Sequence, residues 1–247
     1  MSRILIAALF CLLLAACGGA EAPATVQGSS AAVAGTDDTS SKSQATAREA
    51  AGNTKPGLAG RQREIVNPDD ATMVFLYFDI AGISPPLASW MEQDRRLQNA
   101  AGAEKASLRS VIQQELEAGA ASVHDIGLIR LSLNSAKLSA YDPTYGEFTV
   151  GALSPSSVVR FSAFRQDVEL RFGNGRSAQT WKVPEAEAQA ITDRVRNFGG
   201  VQLEALLRIT GVQPGMSGGT LTVDILEYEL RESRDGATVG RVKVKGD

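Results

Sequence analysis

Apolar residues between positions 84 and 117 recur every three or four residues, which is the spacing of an amphipathic helix. The segment Ser84-Pro85-Pro86 predicts a helix start, because Ser caps a helix and Pro fits its first turn. A second helix is predicted over residues 103–117, with a stop near Gly119. Residues 73–78 are apolar without interruption, so their pattern does not distinguish a buried helix from a buried strand. The apolar positions of the two helices are Leu87, Trp90, Met91, Leu97, Leu108, Val111, Ile112 and Leu116.

After Val123 the apolar and polar residues alternate, as expected for strands with one buried face. Asn174-Gly175 predicts a tight hairpin turn, because both central residues of that turn need positive φ. The adjacent apolar residues Ile225-Leu226 predict a β-bulge or a change of packing partner, and Asp235-Gly236 predicts a turn into the last strand. The predicted strands cover residues 129–133, 145–150, 159–163, 168–172, 178–183, 201–209, 221–230 and a final segment ending at Val244.

One helix interrupts the strands at about residues 184–198. Pro184 opens it, Glu185 and Glu187 complement its dipole, and Ala188 and Ile191 belong to its apolar stripe. The short turns favour antiparallel neighbours. The predicted fold class is therefore α+β, with N-terminal helices packed on a twisted antiparallel β-sheet or sandwich that contains this inserted helix.

Composition limits the chemistry that the chain can perform. It has 247 residues, a formal net charge of −3, two Cys and one His. Near-balanced charge weighs against a broad nucleic-acid-binding face. So few Cys and His residues weigh against a Cys/His zinc site, an iron–sulfur cluster and a disulfide scaffold. We therefore expect no metal, no cofactor and no nucleic-acid partner.

The first sixteen residues have the pattern of a secretory leader. Arg3 supplies a positive start, and residues 4–14 form an apolar run. That run is too short to span a bilayer, which takes about 20 residues. The run ends in Leu14-Ala15-Ala16-Cys17, which resembles the lipobox of bacterial lipoproteins.

The resemblance to lipoproteins implies cleavage before Cys17, a diacylglyceryl thioether on its sulfur and an acyl chain such as palmitate on its new amino group. Two or more chains are needed for stable anchoring. Position 18 is Gly and not Asp, which by the same resemblance favours the outer membrane. The periplasmic side and the cell surface both remain open. Cys11 leaves with the leader, so the mature chain would hold no free thiol.

Residues 17–60 separate the leader from the rest of the chain. After Cys17 they are mostly Ala, Gly, Ser, Thr and Pro and contain no aromatic residue. Such a segment buries too little apolar surface to offset its ordering entropy, so we expect a flexible tether. Residues 61–247 are expected to form one α+β domain, which is long enough to build a core without metal or disulfide.

Residues 215–219, with the sequence GMSGG, resemble the nucleophile loop of chymotrypsin-like serine proteases. The resemblance implies Ser217 as nucleophile, His124 as base and an acid such as Asp142 or Asp167 as the group that orients the base. Met216 stands where many of those proteases have Asp, and the helices before His124 leave no room for their first barrel. The alternative is that residues 211–219 form a Gly- and Pro-rich loop joining two strands.

Three functions remain as hypotheses. The preferred one is a membrane-anchored envelope lipoprotein whose non-catalytic domain binds or scaffolds an envelope protein partner, as an accessory to an envelope or surface assembly. The second is a serine hydrolase or protease that uses Ser217 with His124. The third is a carrier of a small apolar ligand, which requires a closed apolar pocket in the sheet.

Overall fold

A computed structural model of the chain describes residues 58, 60–197 and 200–245. The predicted leader, Cys17 and nearly all of the predicted tether lie outside the described residues. The helices are α1 (Asp70–Ala81), α2 (Leu87–Glu92), α3 (Arg95–Asn99), α4 (Lys105–Ser122), α5 (Gly175–Ala178) and α6 (Glu185–Asn197), with a 3₁₀ turn at Gly151–Leu153. The strands are β1 (Arg63–Val66), β2 (Ile126–Leu133), β3 (Glu147–Thr149), β4 (Val158–Ala163), β5 (Gln166–Phe172), β6 (Thr180–Lys182), β7 (Val201–Gly215), β8 (Gly218–Glu232) and β9 (Thr238–Lys243).

A seven-stranded mixed sheet organises these elements, with strand order β1-β2-β7-β8-β5-β4. The long strand β8 pairs with β7 along one edge, and β5 and β9 share its other edge. The predicted α+β class and the packing of helices on the sheet are confirmed. The sheet is not purely antiparallel, however, because β1 pairs with β2 and β5 pairs with β8 in parallel. A second sheet contains only β3 and β6.

The ambiguous apolar run is helix α1, which is buried on all sides. Its residues 73–78 and Ile80 are all buried. One side of α1 contacts β4, β5, β7 and β8, and the other side contacts α4. A helix enclosed in this way needs apolar residues around its whole circumference, which removes the periodic signal. Asp69 caps its start, and Gly82, at φ 65°, ends it in the left-handed conformation.

The predicted stop of the second helix at Gly119 is wrong. Helix α4 continues through Gly119 to Ser122. A Cβ atom at position 119 would lie 2.6 Å from Cε2 of Phe75, so this glycine lets α4 approach α1 closely. The position of the start of α2, directly after Ser84-Pro85-Pro86, is confirmed, but the predicted cap is wrong, because the N-cap residue is Pro86 and no side chain caps the helix. Leu97, predicted in the same helix, belongs to the separate helix α3. Helix α6 and its buried residues Ala188 and Ile191 are confirmed.

The predicted hairpin at Asn174-Gly175 is also wrong. The side-chain amide of Asn174 donates to the carbonyl of Ile225 at 2.9 Å and accepts from the Ile225 N–H at 2.9 Å. The side chain of Asn174 thereby continues the hydrogen bonding between β5 and β8 beyond the last residue of β5. Gly175 begins α5, where a Cβ atom would lie 2.6 Å from the carbonyl oxygen of Leu153. The chain then reaches β6, which pairs with β3 and not with β5.

The tight hairpin turn lies instead at Phe164-Arg165, between β4 and β5. Both residues have positive φ, 54° and 59°, although neither is Gly, Asn or Asp. Left-handed conformations cost such residues about 1–2 kcal/mol each. The Phe164 ring stacks on Trp90 at a centroid distance of 4.4 Å and lies 5.4 Å from Phe75. These ring contacts offset the strain of the turn.

The Gly- and Pro-rich segment 211–219 is not a loop, which corrects the alternative interpretation of the GMSGG motif. Strands β7 and β8 remain paired as far as Gly215 and Gly218, and only Met216 and Ser217 form the tip. The Tyr77 hydroxyl donates to the Gly218 carbonyl at 2.7 Å. Further along the hairpin, the predicted β-bulge is confirmed, because Leu226 is skipped in the register.

Replacing Gly218 by Ala should destabilise the fold more than the same change at Gly236. Both glycines have positive φ, 115° and 74°. A Cβ atom at position 218 would lie 2.0 Å from the Asp167 carbonyl oxygen, whereas nothing lies within 4 Å at position 236. Urea unfolding should show a loss of about 3 kcal/mol or more for Gly218→Ala and about 1 kcal/mol for Gly236→Ala. Equal losses would contradict the close approach of the hairpin tip to β5.

The cap of α1 should make stability depend on acid pH. Hydrogen bonds from the Thr72 side chain and backbone lower the pKa of Asp69 below its ordinary value. A lowered folded-state pKa stabilises the fold above the unfolded value of about 3.9 and loses this effect as the pH falls through the folded value. Asp69→Ala should therefore cost about 1 kcal/mol at pH 7 and progressively less below pH 4. Asp69→Asn, which keeps a capping oxygen, should retain most of the stability at both pH values in urea unfolding.

Candidate functional site

The two residues of the predicted hydrolase, Ser217 and His124, lie on separate elements. Ser217 is exposed at the tip of the β7–β8 hairpin, where its carbonyl oxygen accepts a hydrogen bond from the Asp167 N–H at 2.9 Å. His124 lies in the turn between α4 and β2. Among the described residues, no hydrogen bond joins the Ser217 hydroxyl to His124. The structure therefore does not bring this nucleophile and this base together.

The two acids proposed to orient His124 are engaged in local contacts. Asp142 accepts a hydrogen bond from the Thr144 N–H at 2.8 Å and so closes a turn. Asp167 accepts from the Ser162 hydroxyl at 2.5 Å, across the β4–β5 pair. Within the described part of the chain, neither acid bonds to His124. The predicted triad is thus not assembled from either acid.

His124 is instead paired with Asp79, in the last turn of α1. Its Nδ1 lies 2.6 Å from Oδ1 of Asp79, and Nη1 of Arg61 donates to the other carboxylate oxygen at 2.6 Å. The side chains of Asp79 and Arg61 are only 14% and 16% exposed, whereas that of His124 is 65% exposed. We call Arg61, Asp79 and His124 the His124 cluster. Its carboxylate holds one nitrogen of the imidazole and leaves the other, Nε2, without a hydrogen bond in the described residues.

Local backbone features place the three side chains of the His124 cluster. Helix α4 ends at Val123, and Asp125 takes the left-handed conformation at φ 62°, which turns the chain into β2. Arg61 comes close to β2 because Gly127 has no side chain; a Cβ atom there would lie 2.3 Å from the Arg61 carbonyl oxygen. The cluster therefore ties α1, the start of β2 and the segment before β1 to one another.

An open cleft of about 240 Å³ lies beside the His124 cluster. We call it the His124 cleft. Its walls are mainly apolar, and its polar lining residues are Asp79, His124 and Ser84. Ile83, on its rim, is a large apolar residue left exposed. The apolar wall residues are Phe75, Phe78, Ile83, Pro85 and Ala120.

A second surface feature is a network of ion pairs across the face of the sheet opposite the helices. Arg130 on β2 bridges Glu64 on β1 and Glu204 on β7, at 2.7 and 3.4 Å. Arg231 and Arg241 bind Glu229 at 3.2 and 2.7 Å. Hydrogen bonds from Thr238 and Arg241 lower the pKa of the Glu229 carboxyl. The charges on this face therefore largely satisfy one another.

The largest described groove, of about 730 Å³, lies near the end of β2 and the start of β4. Its lining is rich in hydroxyl and carboxamide side chains, including Ser156 and Gln179, and Lys137 is its one charged lining residue. The groove is open, and no aromatic residue lines it. The groove therefore offers many hydrogen-bonding groups, but its lining does not favour one class of ligand over another.

Within residues 58, 60–197 and 200–245, no group of three or more His, Cys, Asp or Glu side chains is placed to hold a metal ion. No helix among the same residues combines the length and the apolar character needed to cross a bilayer.

Sequence reasoning identified His124 but missed Asp79 and Arg61. Asp79 is a lone acid in an otherwise apolar helical run, and that isolation is a usable signal, because a charge in such a run needs a partner. The partners themselves come from positions 61 and 124, which are distant in sequence. Arg61 and His124 meet Asp79 only once α1 has packed beside the segments that lead into β1 and β2.

Removing the carboxylate of the His124 cluster should cost more stability than removing the imidazole. Asp79→Asn keeps the size of the side chain but removes the largely buried negative charge that binds both Arg61 and His124, so we expect a loss of about 1–3 kcal/mol. His124→Gln affects an exposed side chain and should cost less than about 1 kcal/mol. Urea unfolding of both variants measures this difference. Equal small losses would show that Asp79 does not hold α1 to the neighbouring strands.

Comparison with known proteins assigns no function to this geometry. Protein-family profiles, curated proteins and solved structures yielded no match to the chain. A functional proposal must therefore rest on the residues and contacts described above.

Proposed function

We propose that this protein is a lipid-anchored protein of the bacterial cell envelope whose folded domain binds a protein partner and does not catalyse a reaction. The observation that carries the proposal is the leader that ends in Leu14-Ala15-Ala16-Cys17. Run length, positive start, small residues and cysteine agree with one another in that segment. Gly18 supports the outer membrane as the site of anchoring.

The contacts of the domain support binding over serine-hydrolase chemistry. In the described residues the hydroxyl of Ser217 and the imidazole of His124 are not hydrogen-bonded to each other, and Asp142 and Asp167 have other partners. Helix α1 packs against strands β4, β5, β7 and β8, and the described cavities are open clefts, so no contact favours a carrier with an enclosed ligand. The His124 cleft, with apolar walls and one free imidazole nitrogen, is suited to recognition.

Anchoring would act by raising the local concentration of the domain near its partners. A flexible segment of the length of Gly18–Gly60 has a random-coil reach of roughly 35 Å. Confinement within such a distance makes a weak interaction effective without any additional contact. The protein would then serve as an accessory to an envelope or surface assembly, with the domain searching the volume next to the membrane.

Lipidation can be tested with two matched cysteine variants. Cys17→Ser removes the sulfur that would carry the diacylglyceryl group, and Cys11→Ser changes the other cysteine of the leader. Mass spectrometry of wild-type protein from a Gram-negative host should show an N-terminal peptide that begins at an acylated Cys17. Cys11→Ser should give the same peptide, whereas Cys17→Ser should be unacylated and retain its leader.

A bare thiol at Cys17 in the wild-type protein, or cleavage at another bond, would contradict the anchoring. The binding role is tested separately by crosslinking in intact envelopes. One defined partner should be captured by the wild-type protein and by Cys11→Ser, and lost with Cys17→Ser. Undiminished capture of that partner by the unacylated variant would refute the role of the lipid anchor.

A further inference from the structure

The His124 cleft combines apolar walls with a single imidazole nitrogen that has no bonding partner in the described residues. Two aromatic side chains, Phe75 and Phe78, contribute to its walls, and exposed Ile83 forms part of its rim. Both carboxylate oxygens of Asp79 are already engaged, one by Arg61 and one by His124. Among the described residues, the polar side-chain atoms of the lining that have no hydrogen bond are therefore Nε2 of His124 and the hydroxyl of Ser84.

Asp79 determines what kind of hydrogen bond His124 makes with a ligand. An ionised carboxylate only accepts hydrogen bonds, so the nitrogen facing it, Nδ1, carries the proton. In the neutral imidazole, Nε2 is then an acceptor. A matching ligand presents an O–H or N–H donor next to an apolar body.

The size of the cleft matches one large chemical group. Its volume of about 240 Å³ is below the range of roughly 300–1,000 Å³ that is typical of pockets for whole drug-sized ligands. One large side chain from another protein fits this scale. Aromatic side chains pack well against the rings of Phe75 and Phe78, and tyrosine adds a donor hydroxyl to its apolar ring.

The chain itself supplies no tyrosine to its own cleft. Tyr77 and Tyr228 are buried, and Tyr141 donates its hydroxyl to the Val183 carbonyl at 3.0 Å. Tyr145 is 71% exposed, but it lies beside β3 and is not among the residues that line the cleft. The parts of the sequence outside the described residues contain no Tyr and no Trp. The donor must come from another molecule.

We propose that the His124 cleft binds an exposed tyrosine side chain of the envelope partner, with its ring against the apolar walls and its hydroxyl donating to Nε2 of His124. This inference rests on the proposed binding function and names the chemistry of the partner's contact. Ile83 and the two phenylalanines contribute the affinity for the ring. His124, held by Asp79, contributes the preference for tyrosine over phenylalanine.

The test uses two probes that differ by one hydroxyl, N-acetyltyrosinamide and N-acetylphenylalaninamide. Because the chain has a single histidine, ¹⁵N-histidine labelling of the full-length protein gives one pair of imidazole nitrogen signals, Nδ1 and Nε2, and both belong to His124. At about pH 8, the tyrosine probe should shift the Nε2 resonance and bind about fivefold more tightly than the phenylalanine probe, as one hydrogen bond implies. Equal binding of the two probes, or an unchanged Nε2 resonance, would overturn the proposal.

Variants separate the contribution of the imidazole from that of the walls, with ligand-observed NMR as the measurement. His124→Phe keeps a ring but removes the acceptor, so the fivefold preference should disappear while weak binding of both probes remains. Ser84→Ala should keep the preference, and Ile83→Ala should weaken both probes equally. Loss of the preference in Ser84→Ala, or its survival in His124→Phe, would assign the recognition to another group.

The remaining alternative is that Tyr145 of a second copy occupies the cleft. In that case the His124 resonance would move with protein concentration, and Tyr145→Phe would abolish the movement. That result would overturn the proposal of a different partner protein. Because acylation of Cys17 is measured independently by mass spectrometry, failure of the anchor and failure of the tyrosine site are distinguishable.

Discussion

The burial of helix α1 is the constraint on which the rest of the described structure depends. Seven of its twelve residues are buried, and together they fill the space between the sheet and α4. Each neighbour is adapted to this helix: Gly119 lets α4 approach it, and the hydroxyl of Tyr77 reaches through to the β7–β8 hairpin. The same helix positions the site, because Phe75, Phe78 and Asp79 all project from it to the His124 cleft. Core and site are therefore two faces of one element, and a change that displaces α1 affects both.

The pattern of apolar and polar residues predicted the helices and strands that have one buried and one exposed side. It failed for a helix that is buried all round, and for a residue whose side chain makes hydrogen bonds that backbone groups make elsewhere in the sheet. Strands β7 and β8, half-buried helix α6 and the bulge at Leu226 followed from alternation or helical spacing. Helix α1 gave no period because it has no exposed side. Asn174 has the sequence of a turn but pairs with the backbone of Ile225. The actual turn at Phe164 depends on stacking against Trp90, which lies more than seventy residues earlier in the chain.

The candidate site was predictable only in part, for the same reason. A lone histidine is easy to find, but its chemistry is set by the residue that holds it, and that residue is Asp79. Sequence reasoning paired His124 with a serine because GMSGG matches a nucleophile loop, yet the glycines of that motif have a structural role. Gly218 takes a positive φ and passes within contact distance of Asp167, as a two-residue hairpin tip packed against β5 requires. A glycine-rich motif can therefore indicate that two backbone segments lie close together, and not only that backbone N–H groups form an oxyanion site.

The ion-pair face of the sheet and the His124 cleft differ in how many of their polar groups are already bonded within the molecule. On the open face of the sheet, Arg130, Glu204 and Glu229 are paired within the molecule, so a partner that binds these charges would have to replace existing ion pairs. Among the described residues, the buried polar side-chain atoms of this face that have no hydrogen bond are the Tyr228 hydroxyl and Nε of Arg231. At the His124 cleft, Arg61 and His124 occupy both carboxylate oxygens of Asp79, while Nε2 of His124 has no hydrogen bond among the described residues and Ile83 on the rim is exposed. Binding at this cleft buries apolar surface and adds a hydrogen bond without breaking one. This difference in cost is the energetic argument for proposing the cleft, and not the charged surface, as the place where this domain recognises a partner.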